Sequence, residues 1–211
     1  MVNISGILID NNDRYFKNYL SLIESAIKKE EQKYDKEDKE FLRDKKNLSE
    51  RDIYFGEEHF IELWFDVQKT KQLLYRSFVL SLFIFIEREV IELCYSLFKK
   101  DKGVFCYKDL SGQGISRGIT YLEKKLNHKF PKNDDTRNKF KVLQKIRNTI
   151  VHNNARIREN DKIFIMNQVK SGNCLLEVDK HDDEIILNHD YALDVINLYK
   201  KIYKETFICR K

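Results

Sequence analysis

Residues that break helices are scarce in this chain: proline occurs once and glycine seven times among 211 residues. Between these few breaks, Lys, Glu, Leu and Ile dominate, which favours long helices over many short strands. A chain of this length suits one well-cored domain with an appendage, or two small domains. The sequence predicts one helical domain over residues 57–211, preceded by a helical extension or arm over 1–56.

Residues 12–46 predict a long helix whose apolar positions are Tyr15, Phe16, Tyr19, Leu20, Ile23 and Ile27. The stripe then fades. Residues 28–46 carry eight basic and seven acidic side chains, a near-neutral mixture that can form i,i+4 pairs along an exposed arm. Ser49 followed by Asp52 predicts a capping box, and Gly56 predicts a break before a second helix running from about 57 to 100. On a wheel of residues 78–98, Ser81, Arg88, Glu89, Glu92 and Ser96 share the polar side. Glu87 falls opposite, with Leu80, Phe83, Val90 and Cys94, where a carboxylate is costly unless a cation or donors meet it.

A further helix is predicted over 115–126. The glycines before it form a turn and not a phosphate loop, because no strand precedes them and no Gly-Lys-Ser/Thr follows. After Asn153 the pattern changes to three short alternating pieces, 162–169, 174–178 and 184–187. The Lys170-Ser171-Gly172-Asn173 run suits a hairpin turn. A last helix, 190–207, carries Leu193, Ile196, Leu198, Tyr199 and Tyr203 back to the core. The expected fold class is therefore all-α, a bundle with a small β-hairpin before its last helix.

Residues 1–10 lack the basic start and long apolar stretch of a secretory signal, so the expected location is cytoplasmic. The apolar run 78–86 is far shorter than the ~18 residues of a membrane span, and reads as a core helix. Cys94, Cys106, Cys174 and Cys209 form no C-x-x-C pair and fit no zinc template with the five histidines, so reduced thiols are expected, with neither metal nor cofactor. The net charge is only +5. It is unevenly spread: residues 117–147 hold ten Lys and Arg against three acids, a net +7, which suits a phosphate backbone but also suits a solvated helix face.

That basic segment leads into Lys145-Ile146-Arg147-Asn148-Thr149-Ile150-Val151-His152-Asn153. Here Phe140, Leu143, Ile146 and Ile150 make an apolar arc with Arg147 at its edge. Glu87 and Arg147, opposite charges on two otherwise apolar faces, are expected to pair. Lys141, Gln144, Lys145, Asn148 and His152 share the polar side, with Asn148 and His152 one turn apart. Arg147 and His152, five residues apart, stand about 140° apart on a helix of ~3.6 residues per turn. An arginine fork can hold a phosphate, and a histidine, with an ordinary pKa near ~6.5, can move a proton at neutral pH. His59, His128, His181 and His189 rank behind His152.

This arrangement resembles the R-N-x-x-x-H motif of the HEPN superfamily, the higher-eukaryote and prokaryote nucleotide-binding all-α domains. The likeness extends over roughly residues 73–207: a long apolar helix with an internal acid, a second helix, the motif helix, a short hairpin and a closing helix. It implies a metal-independent endoribonuclease of a bacterial toxin or antiviral-defence system. Arg147, Asn148 and His152 would be catalytic, Glu87 and Asn153 supporting, and Lys141, Gln144 and Lys145 RNA-binding. One histidine cannot easily be both base and acid in one step, so the resemblance also implies a homodimer with a composite site. An antitoxin or defence partner from the same operon fits that setting. Some members carry a modified tyrosine two positions after the histidine; Asn154 stands there in this chain. Two alternatives stay open: a catalytically silent HEPN-type dimerisation or partner-binding module, and a plain RNA-binding protein. In these, Arg147 neutralises Glu87, Asn148 is a surface residue and His152 caps its helix.

Overall fold

The structure, a computed structural model, describes residues 4–100, 106–127, 130–172, 175–179 and 181–205. Helices α1 (Ile4–Asp44) and α2 (Glu50–Lys100) form a long antiparallel hairpin, turned by a 3-10 segment at Lys45–Asn47. Ser49 starts α2 as its spacing predicts: its hydroxyl accepts from the Asp52 amide at 3.2 Å and donates to the Asp52 carboxylate at 2.6 Å. Gly56 does not break the helix, contrary to expectation, because α2 runs through it without interruption. A Cβ there would lie 2.2 Å from the Phe41 ring, so this glycine lets the two legs approach closely. The division at 56/57 thus falls inside one continuous helix.

The second half of α2 is the spine of the bundle. Phe78, Leu82, Ile86, Val90 and Cys94 are buried along it, and Leu20, Ile23 and Ile27 of α1 cover one side. Tyr15, by contrast, is exposed despite its place in the predicted stripe. Helix α3 (Gly114–Leu126) and helix α4 (Asp134–Asn153) pack on another side, and α6 (His189–Tyr203) closes the core. Phe16, Phe85 and Tyr199 meet edge to face with ring centroids 5.1–5.6 Å apart, locking α1, α2 and α6 together. The α4 arc predicted from the sequence is the buried one: Phe140, Leu143, Ile146 and Ile150 all face inward.

The region after Asn153 differs from expectation. Residues 162–169 are helical, within α5 (Glu159–Lys170), and not a strand. Glu159 and Asp161 in its first turn and Lys170 in its last complement the helix dipole. Ile165 is buried while Ile163 is 76% exposed, a split that a half-buried strand, with both on one face, would not give. The hairpin is smaller and later: β1 (Glu177–Val178) pairs antiparallel with β2 (Ile185–Ile186), Glu177 opposite Ile186. Asn173 and Cys174, assigned to the predicted turn and strand, lie outside the described residues, as does the end of the last predicted helix at Phe207.

Gln72 of α2 holds this hairpin to the bundle. Its side chain donates to the Leu187 carbonyl at 3.0 Å and accepts from the Leu187 amide at 2.8 Å. Arg76, one turn on, pairs with Glu184 and donates to the Ile185 carbonyl at 3.2 Å. Among the described residues, no helix is long and apolar enough to cross a membrane.

Candidate functional site

Helix α4 is fixed at both ends by asparagine. Asn133 accepts the Thr136 amide at 3.0 Å at its start, and Asn154 ends it in the left-handed conformation, φ 51°. Asparagine takes that conformation readily and a bulky residue does not, so the backbone suits the residue found at 154. Between the caps, the buried arc seats α4 on Phe83 of α2, whose ring stacks on Phe140 at 6.2 Å.

Arg147 emerges beside that contact. It is half-buried, its guanidinium lies 5.6 Å from the Phe83 ring centre, and its Nη1 donates to the side-chain Oδ1 of Asn148 at 3.0 Å. The ring and the neighbouring amide thus aim the fork, as a cation over an aromatic face is expected to sit. Arg147 therefore leans toward Asn148. Arg147, Asn148 and His152 line one cleft of about 330 Å³.

The opposite walls come from α2 and from the start of α3. Phe83 and Glu87 contribute from α2; Gln113, Gly114, Ile115 and Ser116 contribute from the α3 entrance. Gly114 has φ +54°, and a Cβ on it would lie 2.5 Å from Glu87 Oε1. Only glycine meets both conditions. The carboxylate of Glu87 thus rests against the N-terminal end of α3, where the helix dipole favours negative charge.

The expected Glu87–Arg147 pair is not formed: no hydrogen bond or ion pair joins the two among the described residues. Phe83 draws the guanidinium one turn away along α2, and Glu87 turns instead to the α3 entrance. Lys145 also departs from its expected role. It pairs with Asp161 and lies 5.1 Å from the Phe164 ring centre, so α5 holds it outside the cleft lining. Lys141 is exposed and borders a neighbouring hollow of about 380 Å³. Gln144 stands between the two hollows, donating to Ser116 Oγ at 2.9 Å. Asn153 faces the following loop, accepting from Arg158 Nε at 2.9 Å.

The basic segment is less basic in space than along the chain. Lys139 reaches Asp194 of α6 at 3.5 Å, Lys145 is met by Asp161, and Arg137 is met by Asp134. No family model, curated protein or solved structure matches the chain. The resemblance to HEPN proteins therefore rests on its own residues and their arrangement.

Of the described histidines, only His152 lines the cleft. His189 meets Glu24 of α1 at 3.0 Å, and His59 packs beside Phe60 on the arm. His128 lies outside the described residues, as does Cys209. Cys94 is buried and donates to the Gly118 carbonyl at 3.5 Å; burial pushes its thiol up to about 12, which suits packing and not reactivity. No group of three His, Cys, Asp or Glu among the described residues could hold a metal.

The α3 entrance escaped the sequence reading as part of the site. Gly112 and Gly114 signal a turn and a helix start, and both are there, with φ +100° and +54°. What the sequence did not reveal is that this helix start closes over α4.

Proposed function

We propose that this chain is a metal-independent endoribonuclease of HEPN type, serving a toxin or antiviral-defence system. The observation that carries the reading is that Arg147, Asn148 and His152 share one cleft although two of them stand on different faces of α4. In that cleft an RNA strand presents a 2′-hydroxyl beside its own phosphate. Arg147 neutralises the charge that builds on the phosphoryl oxygens in the transition state. Asn148, hydrogen-bonded to Arg147, orients the fork. His152, exposed at the end of its helix, moves a proton. Attack by the 2′-oxygen confines the substrate to RNA.

The test is cleavage of RNA in the presence of chelator by wild type and His152→Ala. Wild type should release products ending in a 2′,3′-cyclic phosphate and a 5′-hydroxyl. His152→Ala should be slower by about 10²–10⁴-fold, the usual contribution of a positioned acid or base. Products with 3′-hydroxyl ends, or activity that returns only with magnesium, would sink the reading.

A further inference from the structure

Beside the cleft, and sharing two of its residues, lies the second hollow of about 380 Å³. Ser116 and Gln144 line both, so the two spaces meet at their 2.9 Å hydrogen bond. Buried Phe130 and Phe140 and half-buried Ile119 give the hollow an apolar lining, while Glu123 of α3 and Lys141 of α4 bring opposite charges to it. Cleavage chemistry at Arg147 and His152 does not use this space.

We propose that this hollow takes the base of a guanosine flanking the phosphate held at Arg147, with Glu123 and Lys141 as the residues that select it. This rests on the ribonuclease reading above. Gln144 stands one turn before Asn148 on α4 and Lys141 two turns before it, which places them about 6 and 10 Å along the helix from the motif at ~1.5 Å per residue. The sugar and base of one nucleotide cover such a distance. Single-stranded RNA is read by bases splayed out of their stack, laid against apolar or aromatic side chains and hydrogen-bonded on their edges. The hollow offers both kinds of surface.

The charges disfavour a second phosphate as the occupant. The Glu123 carboxylate repels it, and Arg137, the other cation of the lining, is met by Asp134 and donates to the Pro131 carbonyl at 3.2 Å. They suit guanine instead. On its Watson–Crick edge guanine sets N1–H and the N2 amino group side by side, two donors that one carboxylate can accept together, while its O6 and N7 accept from a lysine. Adenine and cytosine set a ring acceptor beside their amino group, and uracil flanks N3–H with two carbonyls, so each turns a lone pair toward Glu123. That carboxylate is already aimed: its Oε1 accepts the Phe130 amide at 3.0 Å, and lone pairs remain on both oxygens. Lys141 is uncommitted. Lys139 and Lys145 of the same helix are met by Asp194 and Asp161, but among the described residues no carboxylate pairs with Lys141.

Cleavage of oligouridylates that carry a single guanosine, adenosine or inosine tests the assignment, with the cut sites mapped. Wild type should cut a linkage beside guanosine about 5–150-fold faster than the same linkage beside adenosine, the usual discrimination of a well-paired base edge. Inosine, which lacks the N2 amino group, should fall between the two. Glu123→Gln keeps an acceptor for the Phe130 amide but offers one acceptor where guanine presents two donors. Its guanosine-to-adenosine ratio should drop toward one, and inosine should then match guanosine. Lys141→Ala should lower the same ratio. Both variants are first compared with wild type by circular dichroism and melting, and the inosine comparison uses the unaltered protein, so it stands whether or not they fold. Wild-type rates that ignore the base, a preference for another base, inosine cut as fast as guanosine, or a guanosine preference that survives Glu123→Gln would each overturn the inference, while cleavage itself upholds the ribonuclease reading. A wild type that cuts no RNA sinks that reading. Non-cleavable 2′-O-methylated versions of the same oligomers then decide the hollow by fluorescence anisotropy: tighter binding of the guanosine oligomer that Glu123→Gln abolishes supports it, and equal binding of all three overturns it.

Discussion

The two ends of the α1–α2 hairpin are built on different principles. At the base, α1 and α2 meet α4 and α6 around a closed core in which Phe78, Leu82 and Ile146 are fully buried. At the tip, no residue from 28 to 74 is buried, and the legs are joined by the Phe41–Phe60 contact at 4.9 Å, by Lys45–Glu57 at 2.6 Å and by Lys71–Glu31 at 2.9 Å. Tyr54, Phe55, Trp64 and Phe65 stand exposed there. Helix therefore persists where core does not, because local propensity and alternating charge support a helix that packing only partly covers. The consequence is uneven stability: the tip should open at lower cost than the base.

Truncation at equivalent residues tests this contrast most severely. Ile146→Ala removes a fully buried side chain beside Arg147 and should cost about 2–5 kcal/mol. Ile61→Ala on the arm, where the side chain is 58% exposed, should stay within about 0.5 kcal/mol. Urea unfolding of the two variants measures both, and similar losses would erase the distinction between base and arm.

The same contrast explains what could be read in the chain and what could not. Where a helix buries a regular arc, as α4 does with Phe140, Leu143, Ile146 and Ile150, periodicity alone located the core face and, opposite it, the polar stripe from which Gln144, Asn148 and His152 reach the cleft. Where burial is partial, the signal fails. Ile163, Phe164, Ile165 and Met166 form a short apolar run that strand and helix share, yet α5 buries Ile165 and leaves Ile163 in water. Gly56 reads as a breaker because a glycine's use in a close crossing depends on Phe41, fifteen residues away. Long-range charge pairing was illegible for the same reason. Lys145 lies on the predicted stripe, but the helical form of α5 brings Asp161 to it, and Phe83 takes the guanidinium expected at Glu87.

A smaller effect should separate crowding from helix propensity on the arm. Gly56→Ala gains about 1 kcal/mol of helix propensity but drives a methyl group to within 2.2 Å of the Phe41 ring. Overpacking of this kind costs about 1–3 kcal/mol, so the variant should be mildly destabilised, with hydrogen exchange quickening on the arm and not in the core. In a Phe41→Ala background the crowding is gone, and Gly56→Ala should then stabilise. A destabilising Gly56→Ala in both backgrounds would mean that the close approach is not what requires glycine.

The finest distinction concerns the charges that tie each end together. Asp13 at the base is only 14% exposed and joins α1 to α6, accepting from Lys17 at 3.0 Å and Lys200 at 3.2 Å. Burial works to raise its carboxyl, but those two lysines outweigh burial and hold it below the ordinary value of 3.8. A group whose folded pKa is depressed stabilises the fold above its unfolded pKa and loses that contribution as pH falls through the folded one. Asp13→Asn should therefore lower the melting temperature near pH 7 by roughly 2–4 °C, the shift that about 1 kcal/mol makes in a protein of this size. As pH falls below the ordinary value of 3.8 and Asp13 itself takes up a proton, the difference from wild type should shrink toward zero. Raising salt to about 1 M, where the screening length is ~3 Å, should leave part of the Asp13 effect because the carboxylate itself is largely covered, although Lys17 is half exposed. The Lys71–Glu31 contact on the arm is 30–40% exposed, and Lys71→Ala should cost little at any salt. If Lys71→Ala cost as much as Asp13→Asn and salt abolished both equally, the base and the arm would be held by charge in the same way.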